Sequence, residues 1–514
     1  MTGSSSATLR PVHPVARSLS QLVADFGLTP VDGIETVEVS GVTLSSRDAQ
    51  PGDLYVGVPG RNAHGASFAA DAAASGAVAV LTDEEGEQLA SAAGVPVIVT
   101  PDVRAALGDV AAWVYRTREN PATLFAVTGT NGKTSVVYLL TAILRQLGVV
   151  SGLSSTAERR IGDTAVVSSL TTPEASELHA LLARMREEEV RAVAVEVSAQ
   201  ALSRHRVDGL VFDVAAFTNL SHDHLDDYAT MQPYFEAKLE LFTPERARRA
   251  VVTVDGDWGR QLADSSRIPI TTLATRPGVE ADWQLTVSAE TLESTAFRLE
   301  GPDGRAIETT VPLLGSFMAA NAGLAIVMLV ETGYDLEAIA HALQRDGGIE
   351  AYIPGRAERV SGERGPVVFI DYGHTPDAFQ TTLDALRRVT QGKIVMVFGA
   401  DGDRDVTKRA DMGAIAARGA DSVVITDFHP RYEDPNVIRA ALLAGARAAV
   451  PDADLHEIAD PRAAFRAALA MAGDGDVVLY AGPGHEDYRD IAGEHVPYSA
   501  RDDARLALSE AGWL

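Results

Sequence analysis

Thr123-Leu124-Phe125-Ala126-Val127-Thr128-Gly129-Thr130-Asn131-Gly132-Lys133-Thr134 passes from a short apolar run into a glycine-bounded turn. Behind it, Val136, Leu139, Leu140, Ile143 and Leu147 recur on one helical face, and Gly148 stands where a helix would stop. The spacing predicts strand, turn and helix in that order. Such a turn aims backbone N–H groups and the positive helix end at one point, and that point favours a phosphate. Gly129, Thr130, Asn131 and Gly132 would cradle the phosphates. Lys133 would reach the terminal ones, and the Thr134 hydroxyl would ligate the magnesium that travels with ATP. The general phosphate-loop pattern has a further glycine where this chain has Val127. The match is to a shortened Gly-x-x-Gly-Lys-Thr form, supported by its strand–turn–helix setting.

The chain of 514 residues is too long for one core and suggests about three domains. A composition 46% hydrophobic and 22% charged is that of a globular protein. The net charge of -27 argues against a broad nucleic-acid surface, which needs clustered Lys and Arg. Without cysteine, disulfides, thiolate metal sites and thiol nucleophiles are excluded. Met1–Ala7 is small and polar, so no secretion signal is expected. No apolar run approaches the ~20 residues that span a bilayer. The expectation is a cytoplasmic, monomeric enzyme with no nucleic-acid or membrane partner.

Residues 1–105 read as a small α/β unit, with strands at Asp53–Val58 and Val78–Leu81 and an alanine-rich helix at Phe68–Ala74. Residues 106–349 form the unit around the phosphate loop. There Thr171-Thr172-Pro173-Glu174 is expected to open a helix, with Thr as cap and Pro in the first turn. Ala192–Ser198 and Val211–Thr218 are nearly continuous apolar strands, which indicates a parallel sheet covered on both faces. Trp283–Leu313 alternates around Pro302-Asp303-Gly304 and predicts an inserted antiparallel hairpin. Residues 350–514 read as a Rossmann-like α/β unit with four strands, each ending in a polar cluster. In an open parallel sheet that edge binds ligands.

Glu196 interrupts an apolar strand. It is either a strand-end residue in solvent or a magnesium ligand beside the phosphate loop. His224 could join it. Lys238, on a helix predicted at Pro233–Phe242, and Asn321 and Arg356 are unremarked polar residues when taken singly.

Together they carry a resemblance. Thr-Gly-Thr-Asn-Gly-Lys-Thr (128–134), Glu-Val-Ser (196–198), Asn-Leu-x-x-Asp-His-Leu-Asp (219–226), Pro-Gly-Arg (354–356) and Asp-Tyr-x-His-Thr-Pro-Asp (371–377) occur in that order. The set resembles the Mur ligase family, the ATP-dependent amide ligases of peptidoglycan precursor synthesis. Gly-Asp-Arg-Asp (402–405), Pro-Arg-x-Glu-Asp-Pro (430–435) and Gly-x-Gly-His-Glu-Asp-Tyr (482–488) resemble the branch that adds the third amino acid.

The resemblance implies an amino-terminal domain for a UDP-sugar, a central ATPase and a carboxy-terminal domain for the incoming amino acid. It implies that Ser46 contacts uridine, and that Thr171, Thr172, Ser198, Arg204 and Arg206 hold the muramoyl-dipeptide. Asn321, Arg356 and Asp371 would hold adenosine. Thr134, Glu196, His224 and Lys238 would bind Mg2+, with Lys238 carbamylated. Arg404, His429, Arg431, Gly482 and Glu486 would form the amino-acid pocket.

Several positions depart from the family pattern. Phe428-His429-Pro430-Arg431 stands where the diaminopimelate-using branch has Asp-Asn-Pro-Arg, and Pro483 replaces a lysine. Gln200 replaces a frequent His, and Met318 replaces an Asn. Another third residue, such as ornithine, diaminobutyrate or homoserine, becomes the expectation. Rival readings are a folate-type glutamate ligase and a paralogue with altered or lost amino-acid specificity.

Overall fold

The computed structural model describes residues 9–60 and 62–514, and the polar start Met1–Ala7 lies outside them. Each of three sheets builds its own layered α/β unit. The first is a parallel sheet of Gly41–Thr43, Asp53–Gly57, Ala79–Thr82 and Val97–Val99. Helix Val103–Tyr115 spans the expected boundary at 105 and shares a core with Leu54 and Val56 of this sheet. Its Tyr115 hydroxyl accepts the Val42 N–H at 3.0 Å, and Ala180 and Ala183 of the following unit pack into the same core.

The central sheet has eleven strands, and the phosphate-loop strand Thr123–Thr128 lies between Ala192–Glu196 and Val214–Phe217, parallel to both. Alternation decides what covers each face. Phe125, Val127, Ala194 and Ala216 meet helices Lys133–Gln146 and Ser316–Glu331. Leu124, Ala126, Val195 and Phe217 meet Ala175–Glu187 and Met231–Leu239. Strands buried on both faces therefore read as unbroken apolar runs.

Two local expectations need correction. The helix expected from Thr171 starts at Ala175, with Glu174 as N-cap. Thr172 is fully buried and does not cap it. Its hydroxyl donates to Glu196 O at 2.8 Å and accepts the Ser198 N–H at 3.1 Å, so tertiary partners outcompete the local cap. The expected hairpin is a three-stranded meander, Trp283–Glu290, Thr295–Glu300 and Ala306–Val311. Its extra turn at Thr291–Ser294 has no glycine or proline to signal it.

The third sheet runs Glu358–Arg359, Val367–Asp371, Val477–Ala481, Ile394–Phe398, Ser422–Ile425 and Asp454–Glu457. All its pairings are parallel except that of Glu358–Arg359. The four expected strands are present. Asp454–Glu457 escaped the apolar pattern because it is a polar edge strand. The carboxyl ends of this sheet meet the phosphate loop. Arg356 Nη2 donates to Thr134 Oγ1 at 2.8 Å, Asn131 Nδ2 donates to Asp377 Oδ2 at 3.0 Å, and buried Lys408 pairs with buried Asp223 at 3.2 Å.

The loop itself depends on Gly129, whose φ is +144° and where a Cβ would lie 1.9 Å from Thr218 Oγ1. That hydroxyl is committed, donating to Asn131 O at 2.6 Å. Gly129→Ala is expected to lower affinity for an ATP analogue at least about tenfold in calorimetric titration. Unchanged affinity would show that the loop tolerates a side chain there.

Candidate active site

Three neighbouring strand ends assemble the site. The register sets Glu196 opposite Val127 and Phe217 opposite Thr128, so the turns after these strands converge. Glu196 is 1% exposed, which rules out the solvent reading. Its Oε2 accepts the Thr134 hydroxyl at 3.0 Å and the Thr156 N–H at 2.9 Å, and Oε1 lies 3.0 Å from Thr156 Oγ1. Lys133 Nζ stands 3.9 Å away.

Two lysine side chains converge on one carbonyl. Lys133 Nζ donates to Thr130 O at 2.9 Å and Gly129 O at 3.3 Å. Lys238 Nζ donates to the same Gly129 O at 2.8 Å and sits 4.5 Å from the centre of the Tyr234 ring. Burial lowers the pKa of both lysines, and that of Lys238 falls well below its ordinary value, with Lys133 adding to the effect. The carboxylates of Glu196 and Asp223 act on both lysines and partly offset that lowering.

His224, with φ +55°, turns back toward this cluster, its ring edge-on to Tyr234. Burial lowers its pKa to about 4, so near neutral pH the imidazole is uncharged and keeps a nitrogen lone pair. Among the described residues no three His, Cys, Asp or Glu side chains already form a metal cage. Mg2+ takes one or two protein carboxylates and fills its shell with phosphate oxygens and water. Thr134 and Glu196, already hydrogen-bonded to each other, supply oxygens of the right kind.

A cavity of about 650 Å³ runs from this cluster past Asn321, Arg356 and Trp258. A second, of about 710 Å³, shares Thr156, Thr171, Ser198, His224 and Tyr372 with it and continues to Arg404, His429, Arg431, Gly482 and Glu486. Most of the nucleotide-side and amino-acid-side residues expected from sequence thus line two adjacent cavities with a common wall. Asn321 Oδ1 crowds Gly132, where a Cβ would meet it at 2.6 Å.

Other expected contacts fall differently. The Asp371 carboxylate lines the cavity but is taken up by the Ala357 and Gly373 N–H groups, at 2.8 and 2.7 Å, and so shapes the loops around Arg356. Arg206 Nε binds Glu174 Oε1 at 3.0 Å and Nη1 donates to Thr172 O at 3.3 Å; with Thr172 it braces the segment that presents Thr171. Arg204 is half-exposed beside Asp227 and lines neither cavity. Ser46 lies on the loop after Gly41–Thr43, also outside both. Sequence reading missed Thr156, which steadies Glu196, because a lone Thr in a polar loop carries no pattern. It missed the Asp223–Lys408 pair because its members are 185 residues apart.

Family models cover these same segments: "Mur ligase family, catalytic domain" matches residues 38–115, "Mur ligase middle domain" 127–329, and "Mur ligase, glutamate ligase domain" 355–484. A UDP-N-acetylmuramyl-tripeptide synthetase from Leifsonia xyli subsp. xyli is 73% identical over the full length of both chains. The chain belongs to the Mur ligase family.

A Streptomyces coelicolor relative named UDP-N-acetylmuramoyl-L-alanyl-D-glutamate--2,6-diaminopimelate ligase is 44% identical over 98% of each chain. A solved structure with that same name matches this Mur ligase at a TM-score of 0.65 and 27% identity, covering 97% of this chain and 100% of the other. A folylpolyglutamate synthase from Mycobacterium tuberculosis, 19% identical with a TM-score of 0.59 and covering 74% of this chain and 92% of its own, shares the fold.

In this Mur ligase, Lys238→Met removes a desolvated amine without opening a large void. The thermal midpoint is expected to hold or rise while ATP-dependent turnover falls more than about 100-fold. A variant that unfolds early yet keeps turnover would reduce Lys238 to a brace for Gly129.

Proposed function

We propose that this Mur ligase joins the amine of a third amino acid to the D-glutamate side-chain carboxylate of UDP-N-acetylmuramoyl-L-alanyl-D-glutamate, using ATP, in peptidoglycan precursor synthesis. The observation that carries the reading is the pair of adjacent cavities, one at the phosphate loop and one at Arg431 and Glu486, that share Thr156, Thr171, Ser198 and His224. The full-length likeness to a tripeptide synthetase supports it. The folate-type rival is disfavoured, because the neighbour of that class covers 74% of this chain and residues 38–115 match a Mur ligase model.

The chemistry has two displacements. The glutamate carboxylate attacks the terminal phosphorus of ATP, ADP leaves, and an acyl phosphate forms. The amine then attacks the acyl carbon, and the tetrahedral intermediate expels phosphate as the amine proton departs. Lys133 and the loop N–H groups hold the terminal phosphate and offset the charge that develops on it. Mg2+, when bound through Thr134, Glu196, His224 and a carbamylated Lys238, supplies further charge stabilisation. The depressed pKa of Lys238 favours the free amine, the form that reacts with carbon dioxide to give a carbamate.

Thr171 and Ser198, on the wall common to both cavities, would hold the dipeptide. Arg356 and the Asp223–Lys408 pair hold the carboxy-terminal unit against the phosphate-loop unit, and fuller closure of the two would exclude the water that hydrolyses an acyl phosphate. Ser46 would meet the uridine end on the amino-terminal unit. All these substrates are small molecules, and no helix among the described residues is long and apolar enough to cross a membrane.

With Mg2+, ATP and the UDP-muramoyl dipeptide, phosphate release is expected to depend on an added amino acid and to yield a product heavier by that residue. Folded protein that binds ATP yet releases no phosphate with any amino acid would favour a paralogue without ligase activity.

A further inference from the structure

His429 is buried in the wall of the second cavity, on the loop after strand Ser422–Ile425. Its Nδ1 accepts the backbone N–H of Asp490 at 2.8 Å. That bond places the proton of the neutral ring on Nε2, which donates to Glu486 Oε2 at 2.6 Å. The Tyr372 hydroxyl donates to the other oxygen, Oε1, at 3.3 Å. The rings of Phe428 and Tyr488, with centroids 4.0 and 5.5 Å from that of His429, hold the imidazole in place. Glu486 is thus fixed by two donors and faces the cavity with acceptor capacity left for an ammonium group.

The cationic side of the pocket is weaker. Arg431 Nη2 lies 3.4 Å from Asp401 and its Nε 3.9 Å from Asp490, so its charge is already met by two carboxylates. Arg501 is paired with Asp487 at 3.0 Å and Lys408 with Asp223 at 3.2 Å. Arg404, half-exposed and 4.0 Å from Asp226, is the arginine most open to a ligand. Around the whole cavity, carboxylates outnumber cationic side chains eight to five. A ligand with two carboxylates needs two available cations and would place its second negative charge among Asp401, Asp490 and Glu486. A ligand with one carboxylate and a side-chain ammonium carries the complementary charge.

We infer that His429 and Glu486 make this pocket selective for a basic amino acid with a single carboxylate, over a diamino dicarboxylate such as diaminopimelate and over the uncharged homoserine. The inference rests on the ligase reading above and narrows its substrate class to side-chain amines of the lysine, ornithine and diaminobutyrate kind. His429 acts as a positioning residue through Glu486, which touches the substrate.

The test is amino-acid-dependent phosphate release by the full chain with Mg2+, ATP and the UDP-muramoyl dipeptide. Lysine, ornithine, diaminobutyrate, meso-diaminopimelate and homoserine are supplied separately. At least one basic monocarboxylate is expected to exceed both diaminopimelate and homoserine in kcat/KM by about 100-fold or more. Glu486→Gln keeps the shape and removes the charge, so the advantage of that amino acid over homoserine should fall at least about tenfold, mostly through KM. His429→Asn should narrow the margin over diaminopimelate. ATP titration of each variant reports whether the nucleotide site is intact. Preference of the wild type for diaminopimelate or homoserine overturns the inference and leaves the ligase reading standing. An unchanged ratio in Glu486→Gln with intact ATP binding also overturns it. No release with any amino acid removes the ligase reading and the inference together.

Discussion

The buried carboxylate of Glu196 is the constraint around which this molecule is arranged. A charge at the end of a strand enclosed on both faces is costly unless its oxygens are bonded. Here Thr134 and Thr156 bond both oxygens, and Lys133 supplies a nearby positive charge. Thr134 is therefore tied to Glu196 and also receives Arg356 from the carboxy-terminal unit. One hydroxyl links the phosphate loop, the candidate magnesium site and the docked third sheet.

The same economy appears at Gly129 O, the common acceptor for Lys133 and Lys238. Both lysine side chains are buried there, and burial lowers the pKa of each. The carboxy-terminal unit then serves two ends of the chemistry. Arg356 and Lys408 bring it onto the central unit, and the loops at His429 and Glu486 line the second cavity.

Much of this was legible in the sequence because it rests on local rules. Val127 through Thr134 specify a strand, a turn and a helix start by apolar run and glycine placement, and the doubly buried parallel strands announce themselves as unbroken apolar stretches. Thr130 to Thr134, Asn321, Arg356 and the Arg431–Glu486 pocket were found by motif order, and they line two adjacent cavities. What stayed hidden depends on distant partners. Thr172 looked like a helix cap until the strand at Glu196 claimed its hydroxyl. The Asp371 carboxylate also accepts the Ala357 and Gly373 N–H groups, partners that no local pattern announces. The polar edge strand Asp454–Glu457 has no apolar periodicity to betray it.

The central claim is that Thr134 and Glu196 bind the metal that accompanies the nucleotide. The direct measurement is a crystal structure of the protein grown with a non-hydrolysable ATP analogue and Mn2+, with data collected at the manganese edge. The account predicts an anomalous peak within coordination distance of Thr134 Oγ1, the Glu196 carboxylate and a terminal phosphate oxygen. A peak bound only by the analogue, away from Glu196, would contradict it.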